Sequence, residues 1–175
     1  MLQFRYKLKK RSRTLYIVLH HTDSENTTIE TIHKWHLEKG WFGCGYHRYI
    51  REDGSTYQGR PDDTIGAHTI GYNHDSIGVC LEGNFTKRAL KLHQEQALIK
   101  VLVELREKYP EAVITDHRSF NNTDCPAIST AHVAYINHKV EKVLVARREV
   151  QRSYKNRKID YLKDRIKRML KLGRR

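Results

Sequence analysis

The sequence predicts an α/β fold, in which a mixed central β-sheet is flanked by helices and followed by a basic C-terminal helical extension. Three observations support this prediction. Short strand patterns alternate with helix patterns, Asp53-Gly54 separates two strand patterns as a hairpin turn does, and basic residues are concentrated at the chain ends. Alternating strands and helices favour parallel pairing, whereas a hairpin adds an antiparallel pair, so a mixed sheet is expected.

The charge distribution divides the chain into three parts. Residues 1–13 contain six Lys or Arg and no acidic residue, and residues 139–175 contain fifteen Lys or Arg and four acidic residues. The net charge of +13 therefore leaves residues 14–138 at −4. We predict a basic N-terminal arm over 1–13, a domain over 14–138 and a basic amphipathic helical tail over 139–175. Basic ends of this kind typically meet polyanions.

Five short runs have the composition of strands. Those at 15–19 and 77–81 are continuously apolar, which is typical of buried strands, and those at 46–51 and 56–58 flank the predicted hairpin. The fifth run, at 112–114, precedes a polar segment. The stretch 61–73 contains few large apolar residues and is predicted to be a long surface loop.

Three segments have helical patterns. Thr27-x-x-Glu30 is a capping-box pattern that opens a helix ending at Gly40. The second helix covers 90–109 and ends at Pro110, and a third begins near residue 129 or 130. The apolar stripe predicted for the second helix consists of Leu98, Val101, Leu102 and Leu105. Trp35 and Trp41 are predicted to be core residues rather than a platform for sugars.

Cysteine usage and the first residues favour an intracellular origin. The three cysteines, Cys44, Cys80 and Cys125, are too few to form a disulfide framework, so a reducing compartment is expected. No apolar signal-peptide region follows the start, and no apolar run is long enough to span a bilayer.

The segment HRSFNNTDC at 117–125 is the strongest candidate for a functional site. It brings His117 and Cys125 close to the end of a predicted strand, and His20 lies at the end of another. Two histidines and one cysteine leave the fourth tetrahedral position of a zinc ion to water, as in catalytic zinc sites. A hydrogen-bonded loop histidine and a small buried thiol remain an alternative interpretation of this spacing.

Five segments in the same order resemble the zinc-dependent N-acetylmuramoyl-L-alanine amidases, in particular phage amidase-type lysozymes and peptidoglycan recognition proteins. Together they span roughly residues 14–135. The segments are IVLHHT at 17–22, GWFGCGYHRYI at 40–50, DGSTYQGR at 53–60, GAHTIGYNHDSIGVCLEG at 66–83 and HRSFNNTDCP at 117–126.

This resemblance implies an activity and a set of site residues. Zinc-activated water would hydrolyse the amide between the lactyl group of N-acetylmuramic acid and L-alanine in bacterial peptidoglycan, which lyses the cell wall. The implied zinc ligands are His20, His117 and Cys125. Tyr46 matches a catalytic tyrosine, and Thr123 stands where the best-known phage members have a catalytic lysine. The implied substrate-binding residues are His36, His68 and Asn73.

The other histidines are predicted to be structural or exposed, with His21 and His47 as candidates for contact with a zinc ligand. Two further functions are considered. One is a peptidoglycan-binding module without catalysis, which the retained Cys125 and Tyr46 disfavour and for which Thr123 leaves room. The other is an amidase that also regulates a phage RNA polymerase, for which the arm at 1–13 is the first candidate surface. The protein is expected to be a monomer, held in the host cytoplasm until lysis and then acting on the wall.

The C-terminal tail has apolar residues at helical spacing among many basic ones, which is typical of an amphipathic helix. The apolar positions are Ile159, Leu162, Ile166, Met169 and Leu170. Three interpretations are open: the stripe docks on its own domain, the helix binds anionic lipids or other acidic polymers of the envelope, or it binds nucleic acid.

Overall fold

The computed structural model describes residues 2–172. Its strands are β1 (Tyr16–His21), β2 (Arg48–Ile50), β3 (Thr56–Gln58), β4 (Ser76–Leu81) and β5 (Val113–Asp116). Its α-helices are α1 (Ile29–Glu38), α2 (Leu92–Lys108) and α3 (Thr130–Leu172), and a short 3₁₀ turn covers His117–Ser119. The chain divides into two compact units, one that ends at Val140 and one that begins at Glu141.

The five strands form one mixed sheet in the order β3-β2-β4-β1-β5. β1 pairs in parallel with β4 and β5, β2 pairs in parallel with β4, and the β2–β3 hairpin is antiparallel. The predicted fold class is therefore confirmed. Leu19 of β1 lies opposite Asp116 of β5, so the residues that follow each of them, His20 and His117, meet at the same edge of the sheet.

The centre of the sheet is buried because its strands are almost wholly apolar. Ile17, Val18 and Leu19 of β1 have no exposed surface, and all six residues of β4 are buried. The stripe predicted for α2 is buried as expected, while its flanking charged residues are exposed. Burial of apolar surface on this scale is the main favourable contribution to folding.

The predicted start of α1 is wrong by one residue. Thr28 is the N-cap, because its hydroxyl oxygen accepts a hydrogen bond from the Thr31 N–H at 3.2 Å. The preceding residue, Thr27, is buried and instead donates its N–H to Glu82 Oε1 at 2.7 Å. The helix therefore begins at the threonine whose hydroxyl accepts a hydrogen bond from one of the otherwise unpaired N–H groups of the first turn.

The prediction that the two tryptophans belong to the core is also wrong. Trp35 is 41% exposed and Trp41 is 39% exposed. α1 packs through Ile29, Ile32 and two histidines, so Trp35 falls on the solvent side of the helix. Trp41 follows the helix and lines a cavity that His117 also lines.

The stretch 61–73 is irregular, as predicted, but only part of it lies at the surface, with Ile70 82% exposed and Gly71 also exposed. Asp62, Thr64, His68 and Thr69 are all less than 9% exposed. Their burial is possible because partners on other segments satisfy the polar groups of the loop, including a bidentate pair between Asp62 and Arg48 at 2.6–2.8 Å. These hydrogen bonds hold the loop in place.

The basic N-terminal residues lie against this loop. We call residues 5–11 the N-terminal strap. Its backbone makes hydrogen bonds from Arg5 N to Phe42 O at 3.0 Å, from Ile65 N to Lys9 O at 2.9 Å and from Arg11 N to Asp63 O at 2.7 Å. Backbone pairing at both ends fixes the strap across the loops on either side of it.

The second unit consists of the later part of α3. The side chains of Ile159, Leu162, Ile166 and Met169 are 40–63% exposed. The side chain of Leu170 and residues 173–175 lie outside the described part of the chain. Within that part, no helix is sufficiently long and apolar to cross a membrane.

Candidate metal centre and substrate cavity

Three potential metal ligands come together at one edge of the sheet. His20 lies in β1, His117 opens the 3₁₀ turn after β5, and Cys125 lies in the loop that follows. Their ligand atoms are all within 4.8 Å of one another. Parallel pairing of β1 with β5 places the two histidine rings 4.5 Å apart between centroids, and the loop then returns Cys125 to the same point.

The geometry fits a zinc ion. The distance between Cys125 Sγ and His20 Nδ1 is 3.7 Å. Bond lengths of about 2.3 Å for zinc–sulfur and about 2.0 Å for zinc–nitrogen, with a tetrahedral angle, give a sulfur–nitrogen separation of about 3.5 Å. The backbone N–H of His21 also points at Cys125 Sγ at 3.4 Å, which favours a negatively charged sulfur.

The protonation of these ligands reflects their burial. Desolvation, reinforced by neighbouring imidazoles, holds the pKa of His20 well below its usual range, so the ring is neutral and has a lone pair to offer. Burial raises the pKa of the Cys125 thiol to about 11. A metal ion that binds Cys125 would therefore displace its proton.

Tyr46 stands beside the ligands. Its ring centroid is 5.2 Å from that of His20 and 6.4 Å from that of His68. Tyr46 precedes β2, which begins at Arg48, so it sits in a connecting loop rather than in the predicted strand. Burial raises the pKa of its hydroxyl well above the usual value, which keeps it protonated and able to donate a hydrogen bond.

Thr123 lies on the loop that carries Cys125. Its hydroxyl oxygen accepts a hydrogen bond from the Cys125 N–H at 3.2 Å, which is a local turn interaction that shapes the loop. The side chain also lines the cavity next to His117. Its hydroxyl proton remains available for a further hydrogen bond.

A cavity of about 740 Å³ opens beside His117. Its size is in the range of sites that bind small ligands. It is lined by residues 7–9, 40–42, 65–70 and 121–123, together with Arg60, Asn73 and His117. The side chains that face it are apolar, amide, hydroxyl, imidazole and cationic groups, with no aspartate or glutamate among these lining residues.

The three residues implied as substrate contacts occupy different environments. Asn73 lines the cavity, and its Oδ1 accepts hydrogen bonds from the N–H groups of His68 at 2.7 Å and Thr69 at 2.9 Å. His68 also lines it but is only 8% exposed. His36 is buried beside the Trp41 ring, does not line the cavity, and accepts a hydrogen bond from the Gly45 N–H at 2.9 Å.

Two features of the site are difficult or impossible to predict from the local sequence. Asn121 lies four residues after His117, and its Oδ1 is 3.0 Å from His117 Nε2, which orients the ring. That spacing within a polar loop is a usable but weak signal. Lys7, Leu8 and Lys9 line the cavity because the N-terminal strap pairs with a distant loop, and no local pattern indicates this.

The sequence of the domain decides its family. Residues 10–128 match the family described as N-acetylmuramoyl-L-alanine amidase. The chain belongs to the N-acetylmuramoyl-L-alanine amidase family. The resemblance found in the sequence is confirmed, and the chain is an amidase of the endolysin type.

Curated relatives of this amidase include phage endolysins. The endolysin of Escherichia phage T7 is 38% identical over 136 residues, which is 70% of this chain and 87% of the T7 protein. The endolysin of Enterobacteria phage K11 is 42% identical over 109 residues, which is 57% of this chain and 69% of the phage protein.

Solved structures support the same fold for the amidase. The N-acetylmuramoyl-L-alanine amidase LysC from Clostridium intestinale is 34% identical with a TM-score of 0.67, covering 72% of this chain and 85% of LysC. Drosophila PGRP-LB, solved as a mutant in complex with tracheal cytotoxin, is 25% identical with a TM-score of 0.64, covering 69% of this chain and 79% of PGRP-LB.

Proposed function

We propose that this amidase uses zinc held by His20, His117 and Cys125 to hydrolyse the amide between the N-acetylmuramic acid lactyl group and L-alanine of peptidoglycan. The observation that carries this proposal is the convergence of the three ligand atoms within 4.8 Å of one another, with His117 also lining the cavity. Because phage endolysins are among its curated relatives, we propose that it acts at the host cell wall after release from the cytoplasm.

The reaction demands activation of both partners, because an amide is a poor electrophile and water is a poor nucleophile. A zinc ion held by His20, His117 and Cys125 would lower the pKa of a coordinated water to about 7 and would polarise a carbonyl oxygen. The Tyr46 hydroxyl, which stays protonated at neutral pH, donates a hydrogen bond to the oxyanion that develops on the substrate carbonyl. Thr123 contributes a neutral hydroxyl at the cavity wall and holds the Cys125 loop.

The products of digestion test this proposal. The purified protein is incubated with peptidoglycan, with and without a chelator, and new L-alanine amino termini and new reducing sugar ends are measured. We expect amino termini that disappear with chelator, and no reducing ends. Cys125→Ser should abolish the activity and the bound zinc, whereas Cys44→Ala, a buried cysteine outside the cluster, should retain both.

Other outcomes identify other functions. Binding to peptidoglycan with neither product would indicate a recognition module. New reducing ends would indicate cleavage of the glycan strand instead of the amide. Release of new amino termini in the presence of the chelator would support amidase activity but refute the proposed zinc mechanism.

We also propose that the end of α3 attaches the enzyme to anionic lipid surfaces. Ile159, Leu162, Ile166 and Met169 follow one another at intervals of three or four residues and so form a single stripe. All four side chains are exposed. Basic residues such as Lys158, Lys163, Arg165 and Lys167 accompany the stripe, and each basic residue near an anionic surface contributes about 1 kcal/mol.

Vesicle binding of the full chain tests this attachment. We expect binding to vesicles that contain phosphatidylglycerol and little binding to neutral phosphatidylcholine vesicles. Leu162→Asn with Ile166→Asn should weaken binding at least tenfold, whereas Val150→Asn with Tyr161→Asn, which are exposed positions away from the stripe, should not. Equal binding by both variants, or preference for duplex DNA over vesicles, would refute the proposal.

A further inference from the structure

We propose that His68 is a positioning residue that orients the zinc ligand His20, rather than a contact for substrate. The inference rests on the zinc site proposed above. It comes from the hydrogen bonds of the two rings and from the two glycines that enclose the His68 ring.

The two nitrogens of His20 face different partners. Nδ1 points towards Cys125 Sγ at 3.7 Å, and Nε2 lies 3.0 Å from His68 Nδ1. A neutral imidazole has one nitrogen with a lone pair and one N–H group. If Nδ1 offers its lone pair to zinc, Nε2 carries the proton and donates a hydrogen bond to His68 Nδ1. Histidine ligands are commonly held in this way by a hydrogen bond on the other ring nitrogen.

The second nitrogen of His68 continues this series of hydrogen bonds to Ser76. Because Nδ1 accepts a hydrogen bond, the proton of the neutral His68 ring is on Nε2, which faces the Ser76 hydroxyl oxygen at 3.4 Å. Thr69 Oγ1 lies 2.8 Å from the same His68 Nδ1 and 3.4 Å from His20 Nε2, so its hydroxyl shares the single Nδ1 lone pair with the His20 N–H. Both nitrogens of His68 therefore have partners within the protein, and the ring is only 8% exposed.

Two glycines hold the His68 ring in this position. A Cβ atom on Gly78 of β4 would lie 2.6 Å from His68 Cγ, and a Cβ atom on Gly66 would lie 2.5 Å from His68 Cδ2. Real Cβ atoms do not approach other atoms this closely. The His68 ring fits between the two segments only because Gly66 and Gly78 have no side chains. Asn73 Oδ1 fixes the backbone of His68 by accepting a hydrogen bond from its N–H group.

Zinc affinity separates a positioning role from a substrate contact. We expect His68→Ala to weaken zinc binding by about 10- to 100-fold in a competition titration with a chromophoric chelator. His68→Asn should restore most of the affinity, because an amide oxygen near the Nδ1 position accepts the same hydrogen bond. His93→Ala, an exposed histidine at the start of α2, is the control.

Nitrogen NMR of the zinc-loaded protein gives a readout apart from activity. We expect the His20 ring to carry its proton on Nε2 in the wild type and in His68→Asn. Unchanged zinc affinity in His68→Ala, with a raised KM, would make His68 a substrate contact and overturn the inference. If His68→Ala does not fold, the comparison of His68→Asn with wild type decides. A wild-type protein that binds no zinc would instead refute the proposed zinc mechanism.

A separate observation concerns the charge of the cavity, and from it we infer that the N-terminal strap binds carboxylates of the substrate. Lys7 and Lys9 line the cavity on the side of the strap, and both are exposed. Neither has an ion-pair partner among the described residues. Arg60 adds a buried positive charge, and its guanidinium donates to the carbonyls of Cys44 and Ile65.

The cavity thus has three cationic side chains and no carboxylate among its lining residues. An anionic ligand matches this asymmetry. If the proposed function is right, the stem peptide of peptidoglycan supplies such a ligand, because its residues carry free carboxylates beyond the amide that is cut. The strap is able to act as a binding wall because three backbone hydrogen bonds fix it in place.

Substrates with free or amidated stem-peptide carboxylates test the role of the strap. We expect Lys7→Gln with Lys9→Gln to raise KM three- to tenfold for the free-carboxylate form, with kcat unchanged, and to leave the amidated form unaffected. Lys87→Gln with Lys100→Gln, which removes the same charge from exposed positions away from the cavity, should change neither. Equal effects on both substrates would refute this role, whereas no hydrolysis by the wild type would refute the proposed function itself.

Discussion

Asp62 anchors the loop that carries the cavity residues, and we predict that Asp62→Asn destabilises the domain by about 3–5 kcal/mol at pH 7. The Asp62 side chain is 7% exposed and binds Arg48, which is 24% exposed, through two hydrogen bonds of 2.8 and 2.6 Å. Lys108 Nζ lies 3.5 Å from the same carboxylate. Removing one partner of a buried pair leaves the other charge without compensation, which accounts for a cost of this size.

The pH dependence of this effect has a defined sign. Burial opposes ionisation of Asp62, but the hydrogen bonds and charge of Arg48 outweigh it, so the pKa of Asp62 is lowered. A carboxylate with a lowered pKa in the folded state stabilises the protein above its unfolded pKa of about 3.9. The stabilisation is lost as the pH falls through the folded pKa. The difference between wild type and Asp62→Asn should therefore be full at pH 7 and decrease below about pH 4.

Urea unfolding at several pH values measures this difference, and Asp63→Asn is the matched control. Asp63 is the next residue, but its side chain is 49% exposed and pairs with the exposed Lys10. Exposed pairs contribute about 0–1 kcal/mol, so the control should lose far less stability. Similar losses in both variants, or an Asp62→Asn effect that does not decrease in acid, would show that the buried Arg48 pair does not hold the loop.

Three further predictions concern the site. Tyr46→Phe should lower kcat about 100- to 1,000-fold with unchanged zinc content, because it removes a hydrogen-bond donor to the oxyanion. Kinetic measurements and metal analysis will check the two values. An unchanged kcat would exclude Tyr46 as the oxyanion donor. Gly78→Ala should lower the free energy of unfolding by about 1–3 kcal/mol and weaken zinc binding, because its Cβ would lie 2.6 Å from His68 Cγ. Thermal unfolding will measure the stability and chelator competition the zinc affinity. A variant with wild-type zinc affinity would contradict the prediction. Thr123→Ala should lower stability by about 1 kcal/mol through loss of the hydrogen bond from the Cys125 N–H. The variant should lower kcat by less than tenfold on intact peptidoglycan. A larger fall in kcat would instead indicate a direct catalytic role for the Thr123 hydroxyl.

The sequence by itself determined the elements of the fold and the order in which they occur. Continuous apolar runs indicated β1 and β4, the Asp53-Gly54 turn indicated the hairpin, and the apolar stripe of α2 was buried as predicted. These signals are local, because strand and helix periodicities are written into neighbouring residues. His20 and the segment from His117 to Cys125 were also recognisable, since each follows or ends a strand pattern.

Only the tertiary structure decided which distant groups meet. The Asp62–Arg48 pair, the hydrogen bond between His20 and His68 and the strap along the cavity join residues that are 14 to 53 positions apart in sequence. The burial of Asp62, Thr64, His68 and Thr69 within the 61–73 loop and the exposure of Trp35 and Trp41 were wrongly predicted for the same reason. Composition indicates how polar or apolar a residue is, whereas burial depends on which partners the folded chain brings to it.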